Sequence, residues 1–323
     1  MRATLVFACR ALVVVALTYA GLGCAVPQPP GNGQCLYVRE PKTWRPFWLY
    51  LPEDYVEAEH PSPDGKKWPM VVTFHGMKPW DIDARQIREW QQEADNYGFI
   101  VLAPYLDGSD SFMEYPPTRV HWYNTFDERN TLAFMDYVVA KYDADPDRVL
   151  STSWSSGGYY AHWMVNRHPD RFSCIAVRQS NFSYHIMDSA KARTYHTLPV
   201  AIFFGENDFA ACRRESKQAV AWYRRLGFDV TVKRVVGLGH ERTPQTAAAF
   251  FAKVHGLQPV KPDAALATLA RVKVLPVSEA ELQTTAIPVN LKADAGGPAA
   301  PTPDDAGTTA IRPSSDLAAA DRG

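Results

Sequence analysis

The segment Ser153-Trp154-Ser155-Ser156-Gly157-Gly158 carries the densest chemistry in the chain. The β-rich run 148–153 leads into it and a helix-forming stretch leaves it, so a strand feeds directly into a helix. A turn that sharp brings neighbouring backbones so close that only small residues fit two places before and after the turning residue. Ser155 meets that condition, with Ser153 before it and Gly157 after it. Ser156 does not, because Trp154 lies two places before it, and Ser153 has Ser155 rather than a glycine two places after it. The segment is therefore a G-x-S-x-G turn in which Ser replaces the first Gly. A serine held at such a turn could attack an acyl carbon if a base takes its proton as it attacks. The bland alternative is a serine that caps the following helix.

Nine histidines compete for the role of base. His60, His168, His196 and His255 sit in polar or helix-end contexts, His162 reads as a helix-face residue, and His75 as a hydrogen-bonding turn residue. His121 and His185 fall in the irregular stretches 104–126 and 179–198, which read as site-lining loops or a small cap. His240 ends Gly237-Leu238-Gly239-His240, directly after the apolar run 230–236. A carboxylate behind an imidazole fixes its tautomer and stabilises the imidazolium, and Glu206 and Asp208 share the short loop after the run 200–204. Upstream, the run 70–74 ends in His75-Gly76-Met77, where the backbone N–H of Met77 could join that of Ser156 in holding an oxyanion. Trp80, Trp122, Tyr123, Trp154, Phe182 and Tyr184 crowd the same loops. Ordinary packing accounts for any one of them. Together they suggest a pocket for a flat acyl group or a sugar ring, with Trp80, Trp122, Tyr123 and Trp154 as candidate substrate contacts.

Holding these loops at one place requires a frame. Short β-rich runs at 47–51, 70–74, 99–103, 148–153, 174–178, 200–204 and 230–236 alternate with helical stretches at 84–96, 127–142, 156–167, 213–226 and 243–254. That alternation predicts an α/β fold with a mostly parallel central sheet and helices on both faces. Ligands of such sheets gather beyond the C-terminal ends of the strands, where the serine, acid and histidine loops all fall.

The order of these features resembles the α/β-hydrolase superfamily, specifically the secreted polyhydroxybutyrate depolymerase, feruloyl esterase and acetylxylan esterase group. The resemblance runs from about Phe47 to Gly256. It rests on Leu49-Tyr50-Leu51-Pro52, the His75-Gly76 turn, Asp145-Pro146-Asp147-Arg148-Val149 before the elbow, Gly157-Gly158 after it, and the loops of Asp208 and His240. It implies Ser155 as nucleophile, His240 as base, Asp208 rather than Glu206 as the orienting acid, and an oxyanion held by the backbone at Met77 and Ser156. It further implies a serine carboxylic-ester hydrolase that works through an acyl-enzyme without a cofactor, on polysaccharide-linked acyl esters or short polyesters. Two other readings stand beside it. Prolyl-oligopeptidase-like peptidases share the fold and triad order, although the chain carries no propeller repeats. Ser153 in the elbow also allows a catalytically silent binding protein on a hydrolase scaffold.

Composition limits the remaining options. The chain has 323 residues, 46% of them hydrophobic, and 34 Lys plus Arg against 35 Asp plus Glu. A formal charge of -1 supplies no field for a polyanion, so a general nucleic-acid partner is not expected. With no C-x-x-C pair and no H-x-x-x-H repeat, no metal site is expected either. Residues 1–24 read as an export signal, since Arg2 and Arg10 precede an apolar run too short for the roughly 20 residues of a spanning helix. Gly21-Leu22-Gly23-Cys24 resembles a lipobox, which would anchor the chain by a lipid on Cys24, and Gly23-Cys24-Ala25 resembles an ordinary cleavage site. Both place the protein outside the cytoplasm, secreted or on the cell envelope. One disulfide among Cys35, Cys174 and Cys212 is then expected, with Cys174 as a buried free thiol the alternative. Residues 25–34 read as a Pro/Gly-rich linker, 35–258 as the catalytic domain, and 259–323 as an extension ending in a disordered acidic Ala/Pro-rich tail. From Pro276 onward there is no aromatic residue and acids outnumber bases, so truncation near Val274 should leave stability unchanged.

Overall fold

In a computed structural model, residues 31–110, 113–187 and 189–283 are described. They form a nine-stranded sheet in the order β1-β2-β4-β3-β5-β6-β7-β8-β9. The strands are β1 (Gln34–Arg39), β2 (Pro46–Leu51), β3 (Trp68–Phe74), β4 (Ile100–Pro104), β5 (Ala144–Ser155), β6 (Cys174–Ser180), β7 (Val200–Gly205), β8 (Val230–Val235) and β9 (Val274–Pro276). The six strands from β4 to β8 in this order pair in parallel, whereas β2 runs antiparallel to β1 and β4, and β9 antiparallel to β8. Every residue of β3, β4 and β6 is buried, because helices cover both faces. This is why these runs are mostly apolar instead of alternating, with Thr73 in β3 and Arg178, Gln179 and Ser180 at the end of β6 as buried polar exceptions.

The pleat divides the core into two layers. Met70, Val72 and Phe74 of β3 face one layer together with Phe134, Met135 and Val138 of α3 (Trp122–Lys141) and Ala219, Val220 and Tyr223 of α6 (Ala210–Arg225). Val71 faces the other, with Ile87, Trp90 and Ala94 of α2 (Asp83–Tyr97) and Ala247, Ala248 and Phe251 of α7 (Pro244–His255). The short α1 (Glu53–Val56) precedes them. Between α3 and α6 come α4 (Gly157–Arg167), which follows the elbow, and α5 (Ser189–Thr194).

Four expectations change. First, α3 begins at Trp122 and not at 127: the Asn124 side chain accepts from the His121 amide at 2.8 Å and closes the first turn, so Trp122 and Tyr123 are helical. Second, Cys35, Cys174 and Cys212 are all free and lie on β1, β6 and α6. Third, the end of the expected linker is pinned, with the amides of Gly31, Asn32 and Gly33 donating to Gln91 Oε1, Asp95 Oδ2 and the Tyr50 hydroxyl.

Fourth, the extension is folded as far as residue 283. It contributes α8 (Pro262–Leu269), β9 and α9 (Glu279–Gln283). Its acids are paired, Glu279 with Arg224 at 2.9 Å on the exposed surface and Glu281 with Arg234 at 3.5 Å where both are partly buried. Val277 and Leu282 pack against the core. Ending the chain before Val274 is therefore expected to lower stability by about 2 kcal/mol, through lost ladder bonds and apolar contact. For a domain of this size that is about 5 °C in Tm, read by calorimetry. An unchanged melting curve would return the segment to the solvated tail expected from its composition. The export signal, Cys24 and the remainder of the tail lie outside the described residues.

Candidate active site

Ser155 is the last residue of β5 and adopts φ 57°, in the left-handed region that non-glycine residues rarely enter. The strain is held because α4 starts immediately afterwards and the elbow packs against the end of β3. A Cβ on Gly157 would lie 2.2 Å from the Phe74 carbonyl oxygen and 2.7 Å from that of His75. Only glycine allows that approach. At the other flank, Ser153 is accommodated by a partner: its Oγ lies 2.8 Å from Ser180 Oγ on β6, which in turn bonds the Ser155 carbonyl at 3.0 Å. Where a glycine would only make room, Ser153 thus joins a buried hydroxyl chain that ends on the turning residue itself.

The Ser155 hydroxyl donates to His240 Nε2 at 2.9 Å, and His240 Nδ1–H donates to Asp208 Oδ1 at 2.7 Å. The loops carrying these two residues meet because β7 ends in Gly205, where a Cβ would stand 2.4 Å from the Gly239 carbonyl oxygen. The Asn207 amide then donates to the Leu238 carbonyl at 2.8 Å, tying the acid loop to the histidine loop. The imidazole packs against two rings, Trp154 and Phe209, each with its centroid 4.5 Å away. Asp208 also accepts from the Phe209 amide at 2.7 Å, and its side chain is wholly buried. This geometry orients the imidazole to receive the hydroxyl proton and return it to a leaving group.

The rival acid points elsewhere. Glu206 accepts from the Gly237 amide at 2.8 Å and faces Arg234. His75 is buried and receives the Leu106 amide at Nε2 at 2.9 Å, while its Nδ1 contacts the Gly76 carbonyl. Burial lowers its pKa to about 4, so it stays a neutral turn residue. Neither His121 nor His185 reaches the site: the first stacks on Tyr123 and the second packs at a tilt against Tyr184.

A pocket of about 790 Å³ opens beside Ser155, lined among others by Met77, Trp80, Tyr115, Tyr159, Phe209 and Glu215. Ser156, Trp154 and His240 border it as well. Met77 and Ser156, whose amides were expected to hold an oxyanion, both line the pocket beside the serine. Trp80 and Trp154 line it too, the first half-exposed and the second buried against the imidazole. Trp122 and Tyr123 do not line it. The helical start of α3 turns Trp122 out to 71% exposure and buries Tyr123 away from the pocket. The sequence reading missed Tyr115, Phe209, Asn181, Cys212 and Glu215. Placing the start of α6 at 213 instead of 210 hid Cys212, which otherwise stands a helical turn past Asp208. Glu215, buried on the same helix, receives hydrogen bonds from the Tyr159 hydroxyl and the Asn181 amide group, both at 2.9 Å. It fixes the polar part of the pocket wall.

The prolyl oligopeptidase family matches residues 90–248, a span that includes Ser155, Asp208 and His240. Among solved structures, a fluorophosphonate-binding serine hydrolase of Staphylococcus aureus superposes with a TM-score of 0.54 at 16% identity, over 70% of this chain and 99% of that one. The chain has the α/β-hydrolase fold. Within that fold, a ferulic acid esterase of Anaeromyces mucronatus, solved with ferulic acid, superposes with a TM-score of 0.51 at 14% identity, over 75% of this chain and 94% of that one. Acetylxylan esterase A of Emericella nidulans is 26% identical over 128 residues. That match spans 39% of this chain and 39% of that esterase. The esterase-like resemblance read from motif order agrees with the proteins this chain is similar to.

Proposed function

We propose that this α/β-hydrolase is a serine carboxylic-ester hydrolase acting through an acyl-enzyme. The observation that carries the reading is the unbroken chain from Ser155 Oγ through His240 to Asp208, at 2.9 and 2.7 Å, with the serine in the strained backbone of an elbow. Ser155 attacks the ester carbonyl and His240 takes its proton. The amides of Met77 and Ser156 receive the developing oxyanion, and His240 then protonates the departing alcohol. Water repeats the sequence to release the acid.

The substrate class we favour is an acyl ester carried by a polysaccharide, or a short polyester. Its support is the pocket wall, where Trp80, Tyr115, Tyr159 and Phe209 offer flat apolar surface and Glu215 with Asn181 a polar patch. The names of the acetylxylan and ferulic acid esterases point the same way. The basic, apolar and small-residue pattern of residues 1–24 supports action outside the cytoplasm.

Peptide hydrolysis is a second reading, favoured by the match to the prolyl oligopeptidase family. A panel of aryl, acetyl and carbohydrate esters against peptides with comparable leaving groups separates the two. Esters are expected to give at least about 100-fold higher kcat/KM, since amide cleavage demands protonation of a much poorer leaving group. Efficient peptidase activity with negligible esterase activity would overturn the proposal.

A further inference from the structure

A serine triad has no use for a thiol, yet one stands against this one. Cys212, buried in the first turn of α6, places Sγ 3.9 Å from His240 Nδ1 and 3.7 Å from Asn181 Oδ1. A second feature is independent of the cysteine. Asp208 Oδ1 already receives the His240 and Phe209 donors, but Oδ2, equally buried, has no hydrogen-bond partner among the described residues. A buried carboxylate oxygen left unpaired is costly, and a ligand that coordinates it removes the cost. One donor atom from each of Asp208, Cys212 and His240 lies within 4.8 Å of the other two. Cys212 and His240 also border the pocket, which gives an entry path.

We propose that Asp208, Cys212 and His240 form an inhibitory binding site for a zinc-class divalent cation. Zinc bonds of about 2.0 Å to nitrogen and oxygen and 2.3 Å to sulfur imply ligand separations of about 3.2–3.6 Å around a tetrahedron. The observed 3.9 Å between Sγ and Nδ1, and 2.7 Å between Nδ1 and Oδ1, approach those values through shifts of about half an ångström, and the third pair, held within 4.8 Å, through about an ångström at most. Imidazole, thiolate and carboxylate together match a borderline-soft cation better than calcium or magnesium. Charge also balances, since one carboxylate and one thiolate neutralise a dication and leave no net charge buried. Asn181 Oδ1 or a water from the pocket completes the fourth position.

Binding forms metal bonds to Sγ, Nδ1 and a carboxylate oxygen of Asp208. The Cys212 thiol proton leaves to solvent and the Nδ1 proton of His240 is relocated to Nε2. The imidazole remains neutral but in the opposite tautomer, so Nε2–H donates to Ser155 and can no longer accept its proton. Hydrolysis stops and resumes when a chelator removes the cation. The inhibition rests on the hydrolase reading proposed above, whereas the binding site itself does not.

The test uses the full chain titrated with Cd2+ and Co2+, following thiolate-to-metal charge-transfer absorbance and, separately, fluorophosphonate labelling and ester turnover. The wild-type protein and Cys35→Ser are expected to develop the absorbance at one cation per chain and to lose labelling in step with it. EDTA should reverse both. In Cys212→Ser the absorbance should be absent, and half-inhibition, measured against that variant's own activity, should need about 100-fold more Cd2+. No charge-transfer band in the wild-type protein, which needs no variant to fold, would overturn the site. So would equal Cd2+ sensitivity in a folded Cys212→Ser protein. A band without any loss of labelling would keep the cation site and overturn its inhibitory role. A normal titration with no esterase activity at any cation concentration would fault the functional reading instead.

Discussion

Ser155→Ala is expected to lower ester turnover by about a millionfold and to abolish fluorophosphonate labelling, with the melting temperature nearly unchanged. The hydroxyl donates to His240 but fills no core volume, and the pocket beside it is open to solvent. Alanine retains the backbone of the elbow, so the strain at φ 57° is still imposed by the strand before it and the helix after it. His240→Ala should be about as damaging, because a serine without its base gains little from the rest of the triad. Asp208→Asn should cost about ten-thousandfold by presenting the imidazole with a donor where it needs an acceptor. Glu206→Gln, which retains an oxygen for the Gly237 amide, should leave turnover within a few-fold of normal. The comparison assigns the acid, since both residues belong to one short loop. Undiminished turnover in a folded Ser155→Ala protein, or a Glu206→Gln defect larger than that of Asp208→Asn, would overturn the corresponding assignment.

What could be read from sequence follows from which constraints are local. The runs that became β3 and β4 were legible because a sheet covered on both faces favours nearly continuous apolar residues. The elbow was legible because backbone approach dictates small residues at fixed offsets, and the Phe74 carbonyl beside Gly157 is the physical form of that rule. The acid and histidine loops followed from the order of strands. The misplaced residues depended on longer-range or weaker signals. His121 and Asn124 start α3 without the usual Ser, Thr or Asp cap, so Trp122 and Tyr123 were read as loop aromatics. Strand β1 is half-exposed at the sheet edge, and β9 is three residues ending in proline, so neither carries a strong period. The acids of α9 read as solvated because Arg224 and Arg234, their partners, lie more than forty residues away. Phe209 and Cys212 reach the imidazole only through the register of α6, which composition alone leaves free.

The site depends on a support that neither motif nor composition displays. Arg242, two residues beyond His240, is nearly buried, with guanidinium nitrogens 2.5 Å from Asp81 Oδ1 and 2.5 Å from Glu89 Oε2. Its guanidinium also lies 4.0 Å from the centre of the Trp154 ring, which itself packs on His240. Asp81 accepts from the Gly76 amide at 2.6 Å and from Gln86 at 2.9 Å, so one carboxylate joins the turn after β3 to the histidine loop. Glu89 is shared with the buried Arg178 at 2.5 Å, giving two cations and two anions sealed together. Removing one member of such a cluster leaves charge buried without its counter-charge, which costs about 3–5 kcal/mol. Arg242→Met is therefore expected to lower Tm by about 10 °C or more, and to reduce kcat because the Gly76 turn and the loop of His240 lose their common anchor. Arg242→Lys should recover only part of both losses, since one ammonium cannot span two carboxylates as a planar fork does. The measurement is thermal unfolding of both variants beside kcat and KM for a small ester. An Arg242→Met protein that melts within a degree or two of normal would show that Asp81 and Glu89 are sustained without the arginine, and the link between the two halves of the site would have to lie elsewhere.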